Sequence, residues 1–327
     1  MSTLLLTGAS GFIGVNIVER LLGQGHAVVG LSPDGLPALA HAAMARLPGR
    51  YLDLIGDVRD AALVARLFAE HRFDAVVAAA AITAGPERER AGPASIIEVN
   101  LAGVARMLEA AEAAGVRRLV CFSSTAAVGE RAFGAASVLE TDRPEPLTLY
   151  GITKAALEDL AVRWNSFSPG CEMAVVRLSA AFGPWERASG VRNTLSPAWQ
   201  LASAAVEGVP VAPLPAGGAR DWVHAPWAAR VVEWLALEPH LPSHLFNVSA
   251  GRLWHPRLMI ECLAAAGLPV AESPGGREVA FHDDLNRLRV PLSAGRISLA
   301  MAPPPAPEVA ARQYAAWVAA HRAWFGG

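Results

Sequence analysis

The pentapeptide "YGITK" places Tyr150 and Lys154 four residues apart in a stretch with helical rhythm. That spacing puts both side chains on one helix face. An ammonium beside a phenol favours the phenolate and lowers its pKa toward a range useful for general acid/base work. Earlier in the chain, "SST" ends an apolar run, and the hydroxyl of Thr125, or of Ser124 before it, can orient a substrate oxygen. A solvated Tyr–Lys pair is the commonplace alternative, and the strand-end hydroxyls weigh against it.

A second group of residues reads as a phosphate cradle. "LLLTGASGFIG" sets Gly8, Gly11 and Gly14 at three-residue spacing between a buried strand and a helix. Glycine there permits a tight turn, lets backbone approach a pyrophosphate, and packs the helix on the strand. The helix then opens with the amides of Phe12 and Ile13 and the positive end of its dipole. The spacing is GxxGxxG, not the GxGxxG of the dehydrogenase fingerprint, and a plain glycine turn is the competing reading. "GDVRD" follows a third strand, where the Asp57 carboxylate and the Val58 amide suit an adenine edge. An acid about 20 residues on normally binds the ribose 2′-OH and repels a 2′-phosphate. That place falls at Ser32, which is neutral, with Pro33 next and Asp34, Arg46 and Arg50 nearby. The expected cofactor is NAD or NADP, with the balance tipped slightly to NADP.

Positioning these residues requires a sheet. Strand-length apolar runs ("TLLLTG", "HAVVGLS", "RYLDLIGDV", "FDAVVAAA", "RRLVCFSS", "EMAVVRLS") alternate with helical stretches at 12–23, 59–71, 93–114 and 147–168. Continuously apolar strands are those of a parallel sheet covered on both faces. The fold class is α/β, a Rossmann-type doubly wound parallel sheet with a smaller C-terminal substrate lobe. The dinucleotide-binding domain spans 1–178, with 220–248 returning to it; 179–219 and 249–327 form the lobe.

The 327 residues carry a formal net charge of -2 and no basic stripe, which argues against nucleic acid as partner. Three scattered cysteines, Cys121, Cys171 and Cys262, read as reduced thiols of a cytoplasmic protein. No basic region precedes the first apolar run, and no run is long enough for a membrane span, so neither a signal peptide nor a membrane is expected. His282, Asp283 and Asp284 are adjacent, and a solvated loop is favoured over a metal site.

The chain resembles the extended short-chain dehydrogenase/reductase family, also called the NAD-dependent epimerase/dehydratase family. The likeness rests on "TGASGFIG", "GDVRD", "FDAVVAAAA", "VN" at 99–100, "FSSTAAVG", "YGITK", "VVRLSAAFGP", "RDWVHA" and "LFNVSAG". It implies Tyr150 as general acid/base, Lys154 on the nicotinamide ribose and Thr125 (or Ser124) as hydroxyl partner. It further implies Asn100 in the helix behind the site, Ala80, Ser123 and Pro184 along the cofactor, and a homodimer. Departures bear on substrate. Ala180 stands where nucleotide-sugar enzymes often carry asparagine, and Ala126 and Ala127 where dehydratases carry an Asp-Glu pair. Dehydratase chemistry is therefore discounted. The expected activity is hydride transfer between nicotinamide and a carbinol carbon of a small sugar-like substrate: a sugar, sugar acid or polyol derivative. Trp185 either lines its pocket or belongs to the core, and Arg220 and Arg192 are candidate anchors. A nucleotide-sugar epimerase holding NAD tightly is the alternative, and a non-catalytic redox sensor a more distant one.

Overall fold

The computed structural model describes residues 1–131, 135–168, 170–189, 195–281 and 290–326. The chain begins β1 (Thr3–Thr7), α1 (Phe12–Gly23), β2 (Ala27–Ser32), α2 (Ala38–Met44), β3 (Arg50–Ile55), α3 (Ala61–Glu70) and β4 (Ala75–Ala78). Next come α4 (Pro86–Ala91), α5 (Pro93–Ile97), a π-helical turn (Glu98–Ala102), α6 (Gly103–Ala113), β5 (Arg118–Ser124) and α7 (Thr125–Val128). They are followed by α8 (Leu149–Asn165), β6 (Glu172–Leu178), β7 (Ala180–Phe182), α9 (Pro197–Glu207) and β8 (Trp222–His224). The last elements are α10 (Ala225–Leu237), β9 (Leu245–Val248), α11 (Arg257–Ala265), α12 (Gly295–Ser298), α13 (Pro307–Ala320) and a 3₁₀ turn (Arg322–Phe325).

Seven strands form one parallel sheet in the order β3-β2-β1-β4-β5-β6-β9. The chain winds outward from β1 to β3, then reverses through β4. The crevice at that switch point, beyond the C-terminal strand ends, is where such sheets bind ligands. This is the doubly wound α/β architecture that the sequence implies. Leu4 and Leu6 of β1 pack against Ile17, Leu21 and the α10 residues Val231 and Val232. Leu5 faces the other way, in a cluster with Met107 and Leu108 of α6. Each such side chain contributes about 1.5–3 kcal/mol relative to exposure, and both faces of the strand must be apolar.

Side-chain caps set the helix boundaries. The helix expected from residue 59 starts at Ala61 because the Asp60 carboxylate accepts from the Leu63 amide. The one expected from 147 starts at Leu149, with Thr148 Oγ1 accepting from Gly151 N. The long helix at 93–114 is one rod interrupted by the π turn. Beyond β6, the short pair β7 and β8 forms its own parallel sheet, while α10 lies on α1 and β9 extends the main sheet. α9, α11 and α13 gather around Phe182, Leu201, Trp254, Met259, Leu263 and Tyr314 as a third core.

Candidate active site

The turn between β1 and α1 is packed backbone against backbone. Gly8 has a left-handed φ of 71°, and a Cβ there would lie 2.8 Å from Ala80 N. A Cβ on Gly14 would lie 2.1 Å from the Gly8 carbonyl oxygen. No side chain caps α1 at Gly11, so the start of a 12-residue helix faces the crevice with backbone alone. This narrow cradle suits a pyrophosphate. Ala80 donates its amide to Thr7 Oγ1 at 3.2 Å, joining the ends of β4 and β1.

The catalytic candidates sit at the start of α8 and the end of β5. The Lys154 ammonium lies 5.5 Å from the centre of the Tyr150 ring. Lys154 is 2% exposed, and burial pushes its pKa down to about 8, so it keeps its charge at neutral pH. Thr125 opens α7 directly after β5. Gly151 lets α8 press onto that segment, since a Cβ would meet the Ala126 carbonyl oxygen at 2.4 Å. Asn100, on the π turn, accepts from Ile82 N at 2.7 Å and donates to Ile82 O at 3.0 Å and Thr153 Oγ1 at 3.4 Å. It thereby ties the loop after β4 to the helix that carries Tyr150. π turns of this kind recur at functional sites.

Several residues read from the sequence as site residues have other occupations. Ser32 Oγ accepts from Ser10 N at 3.3 Å and donates to Asp34 O at 2.8 Å, locking the glycine turn to the end of β2. Both Asp57 oxygens take hydrogen bonds from Arg59, the shortest 2.6 Å from Nη2, and this pairing holds the carboxyl below its usual range. Val58 is buried beside Gly103. Ser123 donates to Glu158 Oε1 at 2.6 Å, and Ser124 accepts from Ala126 N as the cap of α7.

Trp185 requires correction as a pocket residue. It is 1% exposed, and its indole N–H donates to Glu19 of α1 at 3.0 Å. Trp317, Trp324 and His321 pack edge-on around it at centroid distances of 5.0–5.6 Å. Its φ of 66° is one that bulky residues rarely adopt. The residue before it, Pro184, gives its carbonyl to Asn16 Nδ2 at 2.8 Å. Arg220 is buried, with Nη1 donating to the carbonyls of Gly217 and Ala219 at 3.0 and 2.7 Å, so that arm serves its own loop. Arg192 and the 282–284 group lie outside the described residues. Among the described residues no cluster could hold a metal ion, and no helix is long and apolar enough to cross a membrane.

Sequence reasoning missed Glu158 and Arg177. Arg177 Nε and Nη2 donate to Glu158 Oε1 and Oε2 at 2.9 and 2.6 Å, with both side chains buried. Two signals were present. Glu158 follows Lys154 by four on the same helix face, and an arginine inside the apolar "AVVRLS" demands a partner.

The model of the NAD dependent epimerase/dehydratase family matches residues 4–249. The UDP-glucose 4-epimerase of Neisseria meningitidis serogroup B is 30% identical over 293 residues, 83% of this chain and 84% of that protein. UDP-glucuronate 4-epimerase 3 of Arabidopsis thaliana is 31% identical over 193 residues, 57% of this chain. That match spans 44% of the plant protein's length. Among solved structures, the UDP-glucose 4-epimerase of Thermus thermophilus in complex with NAD superposes with a TM-score of 0.74 at 25% identity over 99% of each chain.

Proposed function

Since the chain belongs to the NAD-dependent epimerase/dehydratase family, we propose that it is an NAD-dependent oxidoreductase acting at a carbinol carbon of a sugar or sugar-like substrate. The observation that carries this reading is the buried Lys154 ammonium 5.5 Å from the Tyr150 ring. Tyr150 takes the proton from the substrate hydroxyl, and the charge on Lys154 favours the phenolate that does so. The Thr125 hydroxyl steadies the same oxygen, a role that the close packing of α7 on α8 at Gly151 supports. NAD, when bound, supplies the site that accepts or returns the hydride. The Gly8–Gly14 turn and the start of α1 would hold its pyrophosphate, with Lys154 on the adjoining ribose.

For the cofactor we propose NAD in preference to NADP, reversing the expectation from Ser32. The Asp53 carboxylate of β3 lies under the loop after β2, accepting from Leu36 N at 2.8 Å and from the Tyr51 hydroxyl at 3.1 Å. A negative charge there disfavours a 2′-phosphate. The Thermus relative's structure holds NAD.

A second reading, epimerisation of a nucleotide sugar, is favoured by the near-full-length likeness to the Neisseria UDP-glucose 4-epimerase. Ala180 and the inward turn of the Arg220 arm favour a compact sugar instead. Incubation with NAD and either UDP-glucose, UDP-glucuronate or free sugars separates the two. Accumulating reduced cofactor marks net oxidation; a 4-epimer without it marks epimerisation. Turnover of none of these sugars overturns both.

A homodimer through α5 and α8 fits the exposed apolar side chains Ile97, Ile152 and Val162 on those helices. A cytoplasmic setting fits three separate buried thiols. Sedimentation tests the first.

A further inference from the structure

Beneath the catalytic pair, one turn further along α8, Glu158 occupies the same helix face as Tyr150 and Lys154, at spacings of four and eight residues. Its carboxylate is buried and fully employed. Oε1 accepts from Ser123 Oγ at 2.6 Å and from Arg177 Nε at 2.9 Å, and Oε2 from Arg177 Nη2 at 2.6 Å. Arg177 is itself 0% exposed. Its Nη1 donates to Leu139 O at 3.1 Å and Asn247 Oδ1 at 3.4 Å. Asn247 of β9 in turn donates Nδ2 to the carbonyls of Val138 and Ser293. One buried unit thus joins α8, the β5 end that precedes Thr125, β6 and β9.

We infer that Glu158, Arg177 and Ser123 are positioning residues for the proposed Tyr150–Lys154 chemistry: a charge-neutral brace that fixes α8 against the Thr125 strand and leaves Lys154 as the dominant charge felt by Tyr150. Charge cancellation is essential to the arrangement. A buried carboxylate four residues from Lys154, were it unpaired, would draw on the lysine's charge and disfavour the phenolate. Bidentate Arg177 removes that field while its fork fixes the helix register. The other groups facing this region are few. Cys121 of β5 feels the charges of both Lys154 and Glu158; its thiol is pushed up to about 12 by burial, and so carries no charge at neutral pH. Glu140 accepts from Asn247 N at 3.3 Å, on the β9 residue that also meets Arg177. Glu89 of α4 accepts from Tyr150 N at 3.4 Å.

The chain offers a readout that needs no substrate. It has three tyrosines, Tyr51, Tyr150 and Tyr314. Burial raises the pKa of Tyr51, with the Asp53 charge adding to it, and burial raises that of Tyr314. In an alkaline ultraviolet titration the Tyr150 signal is the one lost in Tyr150→Phe. Glu158→Gln leaves the Arg177 charge uncancelled and is expected to lower that midpoint; Arg177→Gln leaves the carboxylate uncancelled and raises it. Each shift is about half a pH unit or more. The double variant Glu158→Gln/Arg177→Gln returns toward wild type, and Arg177→Lys, which keeps the charge without the fork, stays near it. Where Arg177→Gln does not fold, Glu158→Gln and the double variant decide. Midpoints that do not move, or that move in the same direction in both single variants, overturn the inference. The inference rests on Tyr150 and Lys154 being the catalytic pair, but the titration reports on Tyr150 whether or not any sugar is turned over. The two can therefore fail separately.

Discussion

At the Gly8–Gly14 turn, backbone rests on backbone. At the Pro184–Glu186 corner, each residue is held by a side chain from far along the sequence. Asn16 and Glu19 of α1 take Pro184 O and the Trp185 indole. Ser196 gives both its amide and its hydroxyl to Glu186, and Trp324 donates to Glu186 O at 2.8 Å. The first arrangement needs no partner but has no room for an added atom. The second has its position set by several bonds, each worth about 1 kcal/mol, and tolerates partial loss.

The largest effect is expected where the turn is tightest. Gly14→Ala drives a Cβ into the Gly8 carbonyl and should cost about 3 kcal/mol or more while abolishing NAD binding. Denaturant unfolding and calorimetry check this, and a variant that keeps both stability and NAD affinity breaks the contrast. Tyr150→Phe should lower turnover by roughly a hundredfold or more, with NAD affinity and unfolding unchanged. Stopped-flow turnover beside NAD titration reads the two together.

A pH-dependent test falls on the substrate side. The Asp221 carboxylate accepts from Ala250 N and Leu292 N at 2.8 and 2.9 Å, and burial raises its pKa to about 6. The folded pKa lies above the unfolded one. The contribution of the protonated form to stability is therefore present at low pH and lost as pH rises through about 6. Between about pH 4 and 6 the wild type should lose about 2 kcal/mol relative to Asp221→Asn, apart from any constant offset between them. Parallel unfolding curves across that range would remove Asp221 as the titrating group. The smallest effect belongs to the corner. Trp185→Phe should cost about 1–2 kcal/mol, chiefly from the half-buried Glu19 left without its donor, and should leave NAD affinity intact. A drop in that affinity would show that the corner and the turn are not separable.

The same contrast explains what could be read from sequence. Small residues at fixed spacing and continuously apolar strands reveal a parallel sheet and its first turn, because steric demands on backbone are local. The Tyr150–Lys154 pair is local as well, within one helix. The two readings of Trp185, pocket or core, could not be separated in sequence because its neighbours Trp317, His321 and Trp324 lie more than a hundred residues on, and nothing near "FGPW" signals them. Ser32 and Asp57 have suitable chemistry, but the sequence gives no sign of the backbone and guanidinium groups that bond to them. Arg177 was legible in part: a charge in a buried strand announces a partner without saying which.

The π-helical turn at Glu98–Ala102 has a consequence for chain length. A rod with one such turn holds a residue more than an uninterrupted α-helix with the same ends, so α5 and α6 are out of phase by about 100°. Deleting a single residue there would let the rod wind uniformly while both flanking stretches keep their seats. The Asn100 amide would then swing off Ile82 and Thr153. A one-residue gap opposite this turn in a related sequence therefore marks loss of the clamp, even where the asparagine itself persists.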